Sequence, residues 1–264
     1  MSRGRGGQVG WRFALGIVVA ALACGVVGLS AGDNPRRIVE EAQKRTFSRS
    51  ERYEGLLQTF VASGKSAEKR WTFERIGAHG DAKSVIRFTD PAEVKGVAVL
   101  IYNHPGRASD QWMWTPAVER DRRISLQDRS TRFFGTDFTF EDLEEREVTQ
   151  YDYASLGEEV VDGASTWKIQ ATPKRAKSSQ YTKSILWIRK DNYAFARMDL
   201  YVLKQVVRRL NYTSLRNVQG IWTAREVKVT DLRRGSLTRL ALDKVEYNVP
   251  LKDGLFTLQG IRRQ

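Results

Sequence analysis

From about Tyr53 onward, apolar residues recur at every second position. Trp71 and Phe73 share one face of the stretch 68–76, and Trp112 and Trp114 share one face of 111–115. Trp167, Ile169 and Ala171 do the same in 166–173. The alternation continues through 82–90, 96–103, 182–190, 194–203, 206–213, 223–232 and 236–247. Successive strand side chains point to opposite faces, so each stretch reads as a half-buried β-strand. Turn-forming runs separate many of them, among them NHPGRASD, VDGA, KDN, NVQG and RRG. Roughly ten or more strands on hairpin-length loops predict one large antiparallel sheet, curled or closed into a barrel, or a sandwich. Strands and helices do not alternate along the chain, which excludes a doubly wound fold.

Val227 and Val229 share a face with Arg225, while Glu226, Lys228 and Thr230 point the other way. Such a sheet is wet on one side and apolar on the other, and the apolar side needs a cover. One segment, DNPRRIVEEAQKRTF, has helical period instead. Ile38, Val39 and Ala42 form its apolar stripe, Asp33 or Asn34 caps it, and Pro35 suits its first turn. One helix is little cover for so many strands. Either the sheet closes on itself, or part of its apolar face is kept for a ligand.

Before the helix, Phe13 to Leu29 is an uninterrupted apolar run, preceded by Arg3, Arg5 and Arg12 and followed by SAGDNP. This is the pattern of an export signal at 1–31, cleaved near Ser30 or Ala31, with an uncleaved anchor as the alternative. The remainder, 32–264, reads as a single domain. Cys24 is the one cysteine. Ala21 stands where a lipoprotein box usually has leucine, and the apolar run continues past Cys24, so lipidation is not the expectation. The processed chain would then form no internal disulfide.

The composition, 41% hydrophobic and 28% charged, is that of an ordinary globular protein. The net charge of +13 gives a basic surface that attracts phosphates. The paired basics Arg122–Arg123, Arg208–Arg209, Arg233–Arg234 and Arg262–Arg263 are spread along the chain, and an exported protein rarely meets nucleic acid, so no nucleic-acid partner is expected. His79 and His104 sit in turns beside Gly or Pro, and no metal-ligand, nucleophile-elbow or phosphate-loop motif occurs. Asp137, Glu141, Asp142, Glu144 and Glu145 lie in one acidic run, read as helix-start charge and a solvated face. No catalytic residue, metal or cofactor is expected, and the chain is not read as an enzyme.

The stretch RFFGTDFTFEDL, Arg132 to Leu143, holds four phenylalanines ahead of those acids. As a strand it would place Phe134, Thr136, Phe138 and Phe140 on one face. Thr139 and Asp142 have capping-box spacing, so a short helix is predicted to start there. The longer run Arg87 to Leu143 resembles the bacterial outer membrane lipoprotein-sorting proteins, a LolA-like exported family. The succession carries Asp90–Pro91, Gly96, Trp112 with Thr115–Pro116–Ala117, Arg122–Arg123–Ile124, and Gly135 to Leu143. Glu119 and Asp121 depart from the family pattern, as do some phenylalanine and threonine positions in RFFGTDFTF.

The resemblance implies a mainly β fold: an incomplete, strongly curved antiparallel β-barrel with a few helices covering the concave face. It further implies a periplasmic carrier or chaperone that shields acyl chains of a lipid or lipoprotein, with an inner-membrane transporter as a partner, acting as a monomer. A lipid-sensing adaptor of an inner-membrane exporter or regulator is the alternative, and an envelope-polymer hydrolase a third. Burial stabilises an acyl chain by about 0.8 kcal/mol per CH₂, so large rings suffice as lining. The candidate lining residues are Trp71, Phe73, Trp112, Trp114, Phe134, Phe138, Phe140, Trp167, Trp187 and Trp222, with Arg122, Arg123, Arg208 and Arg209 as headgroup contacts at the rim.

Overall fold

The computed structural model describes residues 34–175 and 179–263. The apolar run Phe13–Leu29 and Cys24, with the expectations of export, cleavage and lipidation, lie outside these residues. The first element is the predicted helix, α1 (Pro35–Arg45). Asn34 Oδ1 accepts from the Arg36 N–H at 3.0 Å, and Pro35 occupies the first turn. Ile38, Val39 and Ala42 are buried, while Arg36–Glu40 and Glu41–Arg45 pair on the wet face, each at 2.8 Å.

Thirteen strands follow: β1 (Ser50–Phe60), β2 (Ser66–Ala78), β3 (Asp81–Asp90), β4 (Ala98–His104), β5 (Arg107–Thr115), β6 (Arg120–Ile124), β7 (Tyr151–Val161), β8 (Ala164–Pro173), β9 (Lys183–Arg189), β10 (Phe195–Val202), β11 (Gln205–Val218), β12 (Ile221–Asp231) and β13 (Ser236–Tyr247). They form one sheet in the order β6-β5-β4-β3-β2-β1-β13-β12-β11-β10-β9-β8-β7. The strand pairs are antiparallel throughout. The first and last strands pair at the centre, and β6 and β7 form the two edges. The chain therefore has to travel from one edge to the other between β6 and β7. It does so through residues 125–150, which lie across a face of the sheet.

That face is the concave one. Ile86, Phe88, Val99 and Ile101 gather one apolar cluster there, and Ile169, Leu186, Ile188, Met198 and Leu210 gather another. Phe138 packs against both clusters, so the two halves of the sheet curl toward one side chain. A kink at the centre helps the curl. The β1–β13 register shifts between Glu54 and Gly55, and a Cβ on Gly55 would lie 2.3 Å from the Ala241 carbonyl oxygen. Only glycine permits that approach. The result is an incomplete, curved antiparallel half-barrel.

The concave face is covered by α1 over the β7–β9 side and by the crossing segment over the β1–β5 side. The second helix, α2 (Leu258–Arg262), lies on the opposite face. Phe256 and Ile261 pack there on Val85, Ala98 and Leu100, and Arg87 Nη1 donates to the Ile261 carbonyl at 3.0 Å. The helical share of the cover is thus one helix, and a loop supplies the rest. Among the described residues, no helix is long and apolar enough to cross a membrane.

Candidate ligand cavity

The crossing segment is built as a tight loop where its local pattern predicts a strand. Arg132 and Thr139 make a lone β-bridge, and the Phe133 N–H donates to the Phe138 carbonyl at 2.9 Å. Phe134 and Gly135 are left-handed, at φ 45° and 76°. For Phe134 that conformation costs about 1–2 kcal/mol. It turns the ring onto Phe88 and Phe133, at centroid distances of 5.2 Å each, and such contacts offset the cost. The predicted helix is a single 3-10 turn, Glu141–Leu143, and Asp142 Oδ2 accepts from the Thr139 N–H and hydroxyl, both at 2.8 Å.

The acidic run is not a solvated face. Asp137 is fully buried and accepts from Arg132 Nη2 at 2.8 Å, Ser236 Oγ at 2.5 Å and Thr238 Oγ1 at 2.8 Å. Its own N–H donates to Thr238 Oγ1 at 2.8 Å. Glu141 accepts from the Gln180 N–H at 3.0 Å, and Asp142 Oδ1 from the Tyr181 hydroxyl at 2.8 Å. Glu144 binds Arg129 through both oxygens, at 2.6 and 2.5 Å, and takes Gln111 Nε2 at 2.8 Å. Its burial pushes the carboxyl above its usual range, against the pull of Arg129. Glu145 accepts from the Gly80 N–H at 3.2 Å and lies 3.4 Å from Arg75. The five acids tie the loop to the strands on either side of it.

Among the described residues, two adjoining apolar cavities lie between the sheet and its cover. The larger, about 440 Å³, is walled by Val39 of α1 and by Leu186, Phe195, Met198 and Tyr212. The smaller, about 280 Å³, is walled by Leu57, Trp71, Phe73, Phe138 and Leu240. Tyr53, Val227 and Leu242 border both, so the two adjoin. A polar cavity of about 310 Å³ adjoins the larger one at Glu145, Arg146 and Tyr151. The first two volumes together are in the usual range of small-molecule sites. Burial pushes the Tyr212 hydroxyl up to about 12, so this wall stays neutral at physiological pH.

Charged side chains also border the larger cavity. Arg75 Nε binds Glu51 at 2.6 Å, Nη2 donates to Ser48 Oγ at 2.9 Å, and the Tyr53 hydroxyl also meets Glu51. His79 borders this group, and burial holds its imidazole below the ordinary histidine value. Among the described residues, no group of three His, Cys, Asp or Glu side chains is disposed to hold a metal ion.

The fold separates the aromatic residues singled out in the sequence. Trp71, Phe73 and Phe138 line the smaller cavity, and Trp222, 43% exposed, borders the larger one. Phe134 and Phe140 join the inner aromatic cluster beneath. Trp167 packs on Tyr193 beside the inner cluster, with ring centroids 5.0 Å apart. Trp112, Trp114 and Trp187 face the other side of the sheet. The register explains this: Gln111 points inward to the Phe140 carbonyl at 3.0 Å, so its neighbour Trp112 must point outward. The four rim arginines also disperse. Arg122 pairs with Asp128 at 2.5 Å, and Arg123 pairs with Asp110 over Trp112. Arg209 grips Asp199 through two bonds, of 2.8 and 2.7 Å, on the outer face. Arg208 is buried, donating to the Tyr181 hydroxyl at 2.7 Å. Beside Arg75, which Glu51 holds, the arginine that does border the apolar cavity is Arg146. Its only mark in the sequence is its place as the sole cation between Glu141 and Glu147.

A family model whose description reads "-like: Uncharacterized protein" matches residues 80–263, more than two thirds of the chain. The chain belongs to that family. Among solved structures, a DUF1329 family protein from Desulfovibrio piger is 28% identical, with 87% of this chain and 100% of that one covered and a TM-score of 0.82. A domain assigned to outer membrane lipoprotein sorting, from Vibrio parahaemolyticus, is 24% identical over 87% of this chain and 98% of its own, again at a TM-score of 0.82. A LolA superfamily protein from Nitrosomonas europaea is 21% identical over 86% and 99%, at 0.69. No curated protein matches the chain. The fold is therefore the LolA-like half-barrel that the run Arg87–Leu143 resembles.

Proposed function

We propose that this protein is a periplasmic, non-enzymatic carrier that shields acyl chains of a lipid or lipoprotein inside the half-barrel. The observation that carries the reading is the pair of adjoining apolar cavities, about 440 and 280 Å³, under a cover of one helix and one loop. The acids of the crossing segment are spent on tying it down, and most of the wall that remains is aliphatic and aromatic, with Glu51, Arg75, His79 and Arg146 among its charged or titratable members. Such a site holds a chain through burial of CH₂ groups, without polar chemistry. The LolA-like fold and the lipoprotein-sorting assignment of the Vibrio domain are consistent with this cargo class.

The test is to express the protein from its full sequence, purify it without detergent and analyse an organic extract by mass spectrometry. A stoichiometric lipid, displaced by a fluorescent acyl probe, is the expected result. A folded protein that carries no lipid and ignores the probe would remove the carrier reading. Retention of the whole chain in the inner membrane would favour the adaptor instead, because a carrier must leave the membrane.

A further inference from the structure

The larger apolar cavity has an arginine in its wall with no ionic partner. Arg146 follows the acidic run and borders both the larger apolar cavity and the polar one beside it. Its Nη1 donates to Ser184 Oγ at 2.8 Å, and its guanidinium lies 5.9 Å from the Tyr181 ring centroid. Among the described residues, no carboxylate comes within the 4.0 Å of an ion pair. The nearby acids are engaged elsewhere: Glu141 with Ser179 and Gln180, Asp142 with Tyr181 and Thr139, Glu144 with Arg129, Glu145 with Arg75 and Gly80. Other charged bases of the inner face are engaged too: Arg75 by Glu51, Arg208 by Tyr181 and Asp231, and Arg225 by the Leu242 carbonyl at 2.9 Å.

A guanidinium carries five N–H donors and does not lose its charge. Held against an apolar wall, it is costly unless a counter-charge meets it. A ligand with an apolar chain and one anionic head supplies that counter-charge, and a carboxylate or phosphate fits the guanidinium fork two oxygens at a time. The polar cavity beside the apolar one is lined by Arg107, Arg129, Lys174 and Arg175 as well as Arg146, against Glu141, Glu144 and Glu145, so cations outnumber carboxylates where the head would emerge.

We propose that Arg146 anchors the anionic head, carboxylate or phosphate monoester, of a single-chain amphiphile whose acyl chain lies in the larger cavity. The chain would extend toward the smaller cavity past Tyr53, Val227 and Leu242, which border both. This deepens the carrier reading and rests on it: the cavities hold the chain, and Arg146 selects the head.

The experiment measures dodecanoate, dodecyl phosphate and dodecanol as competitors of a neutral hydrophobic dye, on the full-sequence protein and on Arg146→Gln and Arg146→Lys. The unaltered protein should bind one or both anionic ligands roughly 10- to 100-fold more tightly than dodecanol, the scale of a charged hydrogen-bonded contact. The better of the two anions names the head. Arg146→Gln should lose that advantage and keep its affinity for dodecanol, which also shows that it is folded. Arg146→Lys, a charge without the fork, should keep part of the advantage. Equal affinity of the unaltered protein for all three ligands, or undiminished discrimination in Arg146→Gln, would overturn the anchor and leave the carrier standing. Loss of dodecanol binding in both variants would make Arg146 a packing residue and overturn the anchor too. Binding of none of the three by the unaltered protein would remove both readings.

Discussion

Asp137 shows how much one side chain decides in this protein. It sits on the loop that crosses the concave face and reaches the central strand, where Ser236 and Thr238 donate to it while Arg132 closes the loop behind it. Breaking a buried charge network from one side typically costs 3–5 kcal/mol, because the partners are left without their counter-charge. Asp137→Ala is therefore expected to lower the stability by about 3 kcal/mol, read as a fall in the urea midpoint. Asp121→Ala, which removes the half-buried partner of the exposed Arg262, should barely move it. His79 gives a second residue-scale prediction. Its Nε2 is buried without a partner, and burial, with Arg75 nearby, holds its pKa below the ordinary value while Glu145 pulls the other way. The unfolded chain thus takes up a proton first as the pH falls through about 6.5, and stability drops in that window. Asn tolerates the left-handed backbone of position 79, at φ 53°. His79→Asn should flatten the profile of urea midpoints between about pH 5 and 7. Neither role was legible in the sequence. Asp137 looks like any member of an acidic run, and only the fold brings it to residues about a hundred positions away.

The strands were legible to the extent that each buries one face. Residues 82–90 and 236–247 alternate because they sit inside the sheet, with one side against the core and one toward water or an outer cluster, whereas 96–103 are apolar throughout because the crossing loop covers one face of β4 and α2 the other. The edges gave no such signal. β7 has one buried residue, Val161, and β6 one, Ile124, so nothing imposes alternation on Tyr151–Val161 or Arg120–Ile124. β1 was obscured differently: Glu51 points inward to Arg75, and Gly55 is needed for the kink. Residues 132–140 carried a strand pattern and formed a loop because a strand needs a ladder partner. Lying across the face of the sheet, this segment meets side chains instead, and Thr238, Asp142 and Gln111 satisfy its backbone groups. The same arrangement sets the order of opening. Amide hydrogen exchange is expected to be slowest in β1 and β13, which are paired on both sides at the centre, and fastest among the strands in β6. Protection in β6 equal to that in β13 would mean that the edge is covered in solution by something outside this chain.

At the scale of the whole molecule, the sequence posed one question that it had no means to answer: whether the inner aromatics are a filled core or the wall of a site. Strand periodicity reports which face is apolar, and says nothing about how much material covers it. The topology answers in part, because a sheet that runs from edge to edge without closing leaves the covering to α1 and one loop, and both cavities lie beneath them. If these cavities are only imperfect packing, filling them should stabilise the protein and change nothing else. If they are the site, filling them should remove binding. Leu242 borders both cavities and lies opposite Gly55 at the kink. Leu242→Trp places a larger ring at their shared wall, within space that the fold already leaves, so the melting temperature should stay within a few degrees of the original. Dodecanol affinity is expected to fall at least about 10-fold, since a chain shortened to one cavity loses several buried CH₂ groups at about 0.8 kcal/mol each. A stabilised variant that binds dodecanol as well as the original would show that the chain lies elsewhere on the molecule. A variant that keeps its fold and loses the ligand would place the acyl chain across the seam between the two halves of the sheet.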